Sequence, residues 1–330
     1  MAEPRAYVTY FDQRYLAFAL VTLRSIRQHD PQAEIFPLCF DNVAYDAIVG
    51  LGDKKITAIS AEEIWAFEPG LKDRQRRVRQ AFYSTHKPVL PIYVFHLRPN
   101  VAAVAHIDAD VYFYSSPQPL FDEIGAAPIA VSPHRFAPEW KSSEVFGRFN
   151  AGFIYWRNDP EAHKCLREYR KDVFAWCEPA PQPDGRFMNQ GYLTAWPQRY
   201  SGVHIIEHPG VNLSWWNVAA HTLRKGPVVT VDDRPLIFYH FSYVNLDALG
   251  IWHTLRKFGD NDRLTVRDIY RPYLKEIERT DRELRSRIPD LLPIERLATP
   301  AATTPVRRGP WPRTQEGWIA RAKWELGLRA

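Results

Sequence analysis

The sequence predicts an α/β fold in which a largely parallel sheet is flanked by helices. Residues 6–11 are rich in β-forming side chains, and apolar residues with helical spacing follow from Leu16 to Ile26. Residues 35–40 form a second apolar strand. Strand–helix–strand repetition with short turns is typical of parallel α/β sheets. A hydrophobic content of 45% over 330 residues is sufficient for a large core.

The later elements follow from the same patterns. Apolar segments rich in β-forming residues predict strands at 56–59, 101–107, 128–132, 149–156, 204–208 and 235–241. Helical spacing predicts helices at 85–96, 160–176 and 190–196, and the last is expected to stop at Pro197. The basic run 72–79 indicates a solvated helix face or loop, with contact to an anionic substrate or lipid as the alternative.

The character of the chain changes after Asp260. Residues 266–288 are charged and helix-like, and residues 289–312 are rich in Pro, Thr and Ala, which indicates an irregular linker. A basic, aromatic segment closes the chain. We therefore expect an α/β domain at residues 1–260 and a helical C-terminal extension at residues 261–330.

The net charge of +5 is concentrated at the C-terminus, because residues 301–330 contain six cationic and two anionic side chains. The nearly neutral remainder argues against a nucleic-acid-coating protein. In the tail, Trp311, Trp318 and Trp324 lie among basic residues, as in interfacial elements attracted to anionic lipid. A C-terminal helix packed on the catalytic domain explains the same pattern equally well.

Cysteine usage and the N-terminus predict a cytoplasmic location. Cys39, Cys165 and Cys177 are an odd number and show no C-x-x-C spacing, so they indicate neither a zinc site nor a disulfide framework. The N-terminus enters a strand directly and shows no signal segment. No apolar run approaches the length of a membrane span.

Two carboxylates, Asp108 and Asp110, follow the apolar strand at 101–107. Because side chains at positions i and i+2 of an extended chain point the same way, both are expected to converge beyond the strand's carboxyl end. Open α/β sheets bind their ligands there, and paired carboxylates suit a divalent cation that also contacts phosphate oxygens. The alternative is a pair of acidic turn residues.

His240, at the end of the last apolar strand, is a candidate third ligand. An imidazole added to two carboxylates favours a transition metal such as Mn²⁺ over Ca²⁺. The alternative is a hydrogen-bonded structural histidine. Sequence spacing alone does not show that His240 lies near Asp108.

Four motifs in chain order resemble GT-A glycosyltransferases of family 8, which includes glycogenin and bacterial lipopolysaccharide galactosyltransferases. The resemblance covers roughly residues 6–245 and implies a Rossmann-like mixed sheet flanked by helices. Further motifs, at 10–15, 184–187, 208–213 and 216–217, resemble a bacterial group typically found in surface-polysaccharide synthesis. The four motifs are Asp108-Ala-Asp110, Phe149-Asn-Ala-Gly152, Asn189-Gln190 and Phe238-Tyr-His240.

The resemblance implies how a nucleotide-sugar donor is bound. Asp108, Asp110 and His240 hold Mn²⁺ or Mg²⁺ against the diphosphate of a UDP-sugar. Tyr10 and Asp12 lie by the nucleobase and ribose, and Lys87 approaches the phosphates. As alternatives, Asp12 is a turn residue and Lys87 a surface lysine.

The resemblance also assigns a sugar-binding set, consisting of Asn150, Asn189 and Gln190. Asn150 contacts the transferred sugar or the acceptor, with a turn asparagine as the alternative, and Gln190 lies beside the anomeric carbon. Two departures from the family stand out. Asn189 replaces the usual Asp, and the segment 241–245 lacks the Gly and Lys that normally follow the metal-binding His.

Trp215, Trp216 and Asn217 combine flat apolar surface with polar edges, which is typical of a sugar-acceptor wall. Adjacent tryptophans are equally common as packing residues.

Together with the candidate metal ligands, the resemblance implies a metal-dependent transferase that moves a hexose from a UDP-sugar to a glycan or lipid-linked saccharide with retention of configuration. The alternatives are an inverting transferase and a non-catalytic nucleotide-sugar or glycan-binding protein on the same fold. A Mg²⁺-dependent phosphoryl-transfer enzyme is disfavoured, because the sequence has neither a carboxylate nucleophile motif nor a phosphate-cradling Gly-rich loop.

Overall fold

A mixed sheet flanked by helices forms the centre of the molecule. The computed structural model describes residues 5–246, 252–255, 261–294 and 303–306. The strands are β1 (Arg5–Phe11), β2 (Glu34–Cys39), β3 (Ile59–Ser60), β4 (Ala103–Ile107), β5 (Val111–Phe113), β6 (Ile129–Pro133), β7 (Phe149–Arg157), β8 (Val203–Ile205), β9 (Leu223–Arg224), β10 (Thr230–Val231), β11 (Arg234–Pro235), β12 (Phe238–His240), β13 (Asn245–Leu246), β14 (Trp252–Leu255) and β15 (Thr303–Val306).

Helices connect most of the sheet strands. The α-helices are α1 (Leu16–His29), α2 (Asn42–Val49), α3 (Ala61–Phe67), α4 (Arg79–Thr85), α5 (Val89–Leu97), α6 (Gln118–Ile124), α7 (Pro160–Ala175), α8 (Trp196–Arg199), α9 (Asp262–Leu264) and α10 (Arg271–Arg287). Short 3₁₀ helices lie at Gln13–Tyr15, Pro69–Arg74, Pro138–Phe146, Gly191–Ala195 and Val218–Ala220, and a π-helical segment, Thr265–Tyr270, precedes α10.

Within the described residues, the central sheet has the strand order β3-β2-β1-β4-β7-β6-β8. The strands from β3 to β4 are parallel, as the strand–helix–strand pattern predicts. Strand β7 runs antiparallel to both its neighbours, so the sheet is mixed. The predicted α/β fold with a mixed sheet is confirmed. Because β7 is reversed, its first residues lie at the edge where β4 ends.

Each face of the sheet is covered by an apolar layer. The layer on one face includes buried residues of α1, α6 and α10, and the layer on the other face includes those of α3, α5 and α7. The predicted C-terminal helix is therefore present, and it shares the core of the sheet. Tyr273 of α10 stacks on Phe241 at 3.6 Å between ring centroids, directly behind the end of β12.

Two proline positions depart from the predicted helices. The helix expected at 85–96 begins later, as α5 at Val89, and a separate helix, α4, ends at Thr85, because Pro88 has no N–H to donate within a continuous helix. Pro197 was expected to stop a helix but lies in the first turn of α8, where a missing N–H costs nothing.

The three cysteines lie in the interior of the protein. Cys39, Cys165 and Cys177 are all buried and free. Burial raises the pKa of each thiol, with the pKa of Cys177 raised to about 12. Such thiols are poor nucleophiles and metal ligands. Of the helices in the described ranges, none is long and apolar enough to cross a membrane.

Candidate active site

The turn between β4 and β5 and the pairing of β5 with β12 bring three candidate ligands together. Asp108 and Asp110 occupy the turn, and His240 at the end of β12 pairs with Val111. His240 Nε2 lies 3.2 Å from Asp110 Oδ1 and 3.7 Å from Asp108 Oδ2. One atom from each residue lies within 4.8 Å of the other two. These three atoms are therefore close enough to share one cation.

Asp108 divides its two oxygens between the protein and this cluster. Its Oδ1 accepts hydrogen bonds from Lys87 Nζ at 2.8 Å and from His106 Nε2 at 2.9 Å, while Oδ2 faces His240. Burial opposes the negative charge, but Lys87 and His106 outweigh it and hold the pKa of Asp108 well below its usual range. Asp108 is therefore an anion with one oxygen left for a ligand.

Lys87 lies in the interior, where it is 2% exposed, although the family resemblance implies a contact with donor phosphates. Its ammonium also donates to the Ala151 carbonyl at 2.7 Å. The structure thus corrects the alternative of a surface lysine, because tertiary packing encloses the side chain. Lys87 is a buried countercharge that fixes the orientation of Asp108.

His106 is a neutral partner of Asp108. Burial and the charge of Lys87 lower its pKa to about 4, so its Nε2–H donates to the Asp108 carboxylate. Its Nδ1 has no hydrogen-bond partner among the described residues. His106 and Lys87 together occupy Asp108 Oδ1, which leaves Asp108 as a one-oxygen ligand.

Asp110 is held by both its side chain and its backbone. Its Oδ2 accepts from the Tyr15 hydroxyl at 3.2 Å, which leaves Oδ1 facing His240. The Asp110 carbonyl accepts from the Phe241 N–H at 2.8 Å. The strand that carries His240 is therefore fixed to the acidic turn by a backbone bond.

His240 is 4% exposed and packs edge-on against Trp216. Its Nδ1 lies 3.1 Å from Asn212 Oδ1, and its Nε2 faces the two carboxylates. Burial disfavours a charged imidazole, but Asp110 and Asp108 outweigh burial and raise the pKa of His240. Two carboxylate oxygens and an imidazole nitrogen fit Mn²⁺ or Mg²⁺. A metal-binding histidine commonly donates the N–H of its other ring nitrogen to an outer hydrogen-bond partner.

Gly152 in β7 leaves room for the His240 ring. A Cβ at this position would lie 2.4 Å from His240 Cε1 and 2.6 Å from His240 Nδ1. The Gly152 carbonyl accepts from the Asp108 N–H at 3.0 Å. The glycine of the Phe149–Gly152 motif is thus required by close packing against the candidate ligands.

Asn150 and Gln190, two residues of the predicted sugar-binding set, contact one another. Gln190 Oε1 accepts from the Ala151 N–H at 3.1 Å and from Asn150 Nδ2 at 3.3 Å, and Gln190 Nε2 donates to the Phe146 carbonyl at 2.9 Å. The side-chain carbonyl of Gln190 therefore points towards hydrogen-bond donors of the protein, on Ala151 and Asn150. Asn150 Oδ1 accepts from the Gly152 N–H at 2.8 Å.

Asn189 is buried, and both its side-chain NH₂ and its backbone carbonyl are hydrogen-bonded. Asn189 Nδ2 donates to the Ser84 carbonyl at 3.1 Å, and the Asn189 carbonyl accepts from the Tyr169 hydroxyl at 3.1 Å. A carboxylate at this position would face the Ser84 carbonyl without a proton to donate. The departure from the family's Asp therefore fits the local hydrogen bonding.

Replacing Asn189 with Asp is expected to lower the free energy of unfolding by about 1–3 kcal/mol, the cost of leaving a buried polar group unpaired. Urea denaturation of both proteins measures the change. Asn158→Asp is the matched control, since Asn158 also donates to backbone carbonyls but is exposed and should lose less. Equal stability of Asn189→Asp and the parent would contradict the assigned hydrogen bond.

Tyr10 and Asp12 lie at and just beyond the end of β1, the strand next to β4. Tyr10 packs against His106 at 5.4 Å between ring centroids, so it borders the acidic cluster. Asp12 caps the following 3₁₀ helix through the Arg14 N–H and accepts from the Tyr83 hydroxyl at 3.1 Å. Both roles considered for Asp12 in the sequence analysis, turn residue and site residue, are compatible with this position.

The predicted acceptor wall is largely enclosed. Trp215 is 8% exposed and packs against Trp140, while Trp216 is 3% exposed and packs against His240. Asn217 is buried and bonds the His134 and Asn212 carbonyls and the Ser214 N–H. In this structure the three residues are packing and turn residues, because tertiary contacts cover the faces that the sequence pattern suggested for a ligand.

Several residues of the site carry no role in the sequence prediction. They are Tyr15, His106, His134 and Asn212. His106 could have been found by strand alternation, because it precedes Asp108 by two positions. Asn212 lies within the 208–213 motif, but nothing in its spacing indicates contact with His240. The basic, aromatic tail at 307–330, including Trp311, Trp318 and Trp324, lies outside the described residues.

Comparison with known proteins finds curated relatives and solved structures that resemble this chain. No family model matches it. YfnD, an uncharacterised protein of Bacillus subtilis strain 168, is 27% identical over 287 residues, covering 86% of this chain and 92% of YfnD. The galactosyltransferase LgtC, solved with donor and acceptor sugar analogues, has 18% identity and a TM-score of 0.46 over 72% of this chain and 87% of LgtC. Mouse xyloside xylosyltransferase 1 has 12% identity and a TM-score of 0.46 over 73% and 98% of the two chains.

Proposed function

We propose that the chain is a metal-dependent glycosyltransferase that moves a hexose from a UDP-sugar to a glycan or lipid-linked saccharide. The convergence of Asp108, Asp110 and His240 is the observation that carries this proposal. The second polar atom of each side chain is engaged by the protein, through Lys87 and His106, Tyr15 and Asn212 respectively. Each residue thus directs one ligand atom to a common point at the carboxyl edge of the sheet, where such folds bind nucleotides.

In this proposal, Asp108 Oδ2, Asp110 Oδ1 and His240 Nε2 hold Mn²⁺ or Mg²⁺. A divalent cation there supplies Lewis-acid stabilisation to the departing nucleoside diphosphate. Lys87 maintains the charge and orientation of Asp108. Tyr10 and Asp12, at the adjacent strand end, are proposed to contact the nucleoside.

The residues proposed to contact the transferred sugar are neutral amides, namely Asn150, Asn189 and Gln190. This composition supports retention without a covalent intermediate, since a carboxylate nucleophile is missing from the set. An inverting enzyme requires a base at the acceptor hydroxyl. Asp184, in the motif at 184–187, is the acidic residue to consider for that base. It is exposed and paired with Arg186 at 2.7 Å, which supports a structural role instead.

Calorimetric titration of the full chain with UDP tests the proposal. We expect UDP to bind in the presence of Mn²⁺ and to bind at least about 10-fold more weakly in EDTA, because EDTA removes the cation that contacts the diphosphate. A hydrolysis and transfer assay across UDP-sugars then identifies the donor. UDP binding that is equal with and without Mn²⁺ would contradict a metal-dependent enzyme.

The same assay separates the enzyme from a non-catalytic nucleotide-sugar or glycan-binding protein. That alternative draws support from Asn189, which stands where the family that the chain resembles has Asp and whose side-chain NH₂ donates to the Ser84 carbonyl. Metal-dependent UDP binding without turnover of any UDP-sugar would favour it.

The cytoplasmic location and the contact of the C-terminal tail with an anionic membrane also belong to the proposal. Their support comes from the sequence patterns alone.

A further inference from the structure

A line of buried side-chain hydrogen bonds leads away from the candidate metal site. His240 Nδ1 lies 3.1 Å from Asn212 Oδ1, and Asn212 Nδ2 lies 3.2 Å from Asn150 Oδ1. His240, Asn212 and Asn150 are 4%, 0% and 7% exposed. Water therefore contributes little to the orientation of these groups, and the protein must determine which nitrogen of His240 carries the proton.

Backbone groups fix the direction of the hydrogen bonds at the far end of this line. The Gly152 N–H can only donate, so the atom of Asn150 that it contacts at 2.8 Å is the oxygen. Asn150 Nδ2 then points at His134 Nε2, 3.2 Å away. The Gly147 carbonyl can only accept, and it lies 2.9 Å from His134 Nδ1, so the proton of His134 is on Nδ1.

This direction passes through Asn212 to His240. Because Asn150 presents its oxygen, Asn212 presents its NH₂ to Asn150 and its oxygen to His240. The His240 Nδ1 must therefore be the protonated nitrogen. In the neutral ring, the lone pair of His240 Nε2 then faces the carboxylates of Asp108 and Asp110. A lone pair and two anionic oxygens repel one another, so either a metal cation among them or a proton on Nε2 must balance the charge.

We propose that Asn212 is a positioning residue of the metal site, which holds His240 as the Nδ1–H tautomer and receives its own orientation from Asn150. This inference rests on the proposed metal-dependent function and deepens it. Asn212 touches neither the cation nor the donor. It acts through His240, in the way that outer hydrogen-bond partners orient metal-binding histidines.

The clean test is Asn212→Gly, because Asn212 has φ +57° and glycine adopts that backbone conformation without strain. Mn²⁺ is titrated into the full chain without nucleotide, and binding is followed by calorimetry and by electron paramagnetic resonance. We expect Mn²⁺ to bind about 10- to 100-fold more weakly than to the parent. Asn261→Gly is the matched control, since Asn261 is also buried and makes three hydrogen bonds to backbone groups. It should destabilise the fold without changing Mn²⁺ affinity.

A double-mutant cycle with His240→Ala shows whether Asn212 acts through His240. In the His240→Ala protein, adding Asn212→Gly should produce no further loss of Mn²⁺ affinity. Full additivity of the two losses would overturn the inference, and so would an Asn212→Gly affinity within about threefold of the parent. Failure of the parent chain to bind Mn²⁺ would instead overturn the proposed function, so the two failures are distinct.

A measurement on the unaltered protein covers the case in which Asn212→Gly does not fold. Selective ¹⁵N labelling of histidine reports the tautomer of His134, and His134→Gln identifies its signals. We expect a neutral ring protonated at Nδ1. A ring protonated at Nε2 would reverse the direction of the hydrogen bonds and overturn the inference.

Discussion

Asp110→Asn is expected to abolish Mn²⁺-dependent binding of UDP, with a loss of about 100-fold or more in affinity. The substitution removes one of the two proposed anionic ligands, and substitution of an outer partner alone costs about 10- to 100-fold in metal affinity. The asparagine is close in size to Asp110 and retains an oxygen for the Tyr15 hydroxyl, so the fold should be preserved. Calorimetry with UDP, with and without Mn²⁺, measures the effect.

Asp122→Asn is the control for Asp110→Asn. It makes the same change of charge on an exposed residue of α6 and should leave both UDP and Mn²⁺ binding unchanged. Thermal unfolding of both variants confirms that they are folded. If Asp110→Asn bound UDP as tightly as the parent in Mn²⁺, the carboxylate would not be a metal ligand.

Gly152→Ala is expected to have an effect of similar size by a steric route. The new methyl group would overlap the His240 ring at 2.4 and 2.6 Å. The ring has little space to move, because it is 4% exposed and packed against Trp216. We expect Mn²⁺ affinity to fall to the level of His240→Ala, together with a loss of about 1–3 kcal/mol in unfolding free energy from overpacking.

Gly50→Ala is the matched control for Gly152→Ala. Gly50 follows α2 with φ −64°, and a Cβ there meets only backbone carbonyls, the nearer at 3.1 Å. Mn²⁺ titration and urea denaturation of the two variants separate the site-specific effect from the general effect of an added methyl group. Retention of the parent's Mn²⁺ affinity by Gly152→Ala would show that His240 is not held at this point for ligation.

The position of Asp108 and Asp110 at one edge of the sheet could be predicted, because both directly follow a buried strand. Their convergence does not come from the expected alternation of an extended chain, since both lie in the turn between β4 and β5. The strand–helix–strand pattern at the start of the chain is also local, and the parallel pairing of β1 and β2 bears it out. Strands and helices with a strong pattern of apolar residues can therefore be predicted from the sequence.

The surroundings of these carboxylates could not be predicted, because they depend on pairings between distant segments. The proximity of His240 to Asp110 follows from the register of β5 against β12, which no local pattern encodes. Lysine, as at position 87, is common on protein surfaces, and tryptophan, as at position 216, is common in sugar-binding sites. Tertiary packing nevertheless buries both Lys87 and Trp216. Only the folded chain shows that Lys87 donates a hydrogen bond to Asp108 and that Trp216 packs against His240.

The pairing of β5 with β12 also determines when the site can exist during synthesis. The acidic turn leaves the ribosome long before His240, and the backbone bond from Phe241 to Asp110 closes the site only after β12 has joined β5. A nascent chain that ends before His240 therefore has the carboxylates but not the imidazole. Because the third candidate ligand arrives only with β12, binding of a cation by all three residues requires the pairing of β12 with β5.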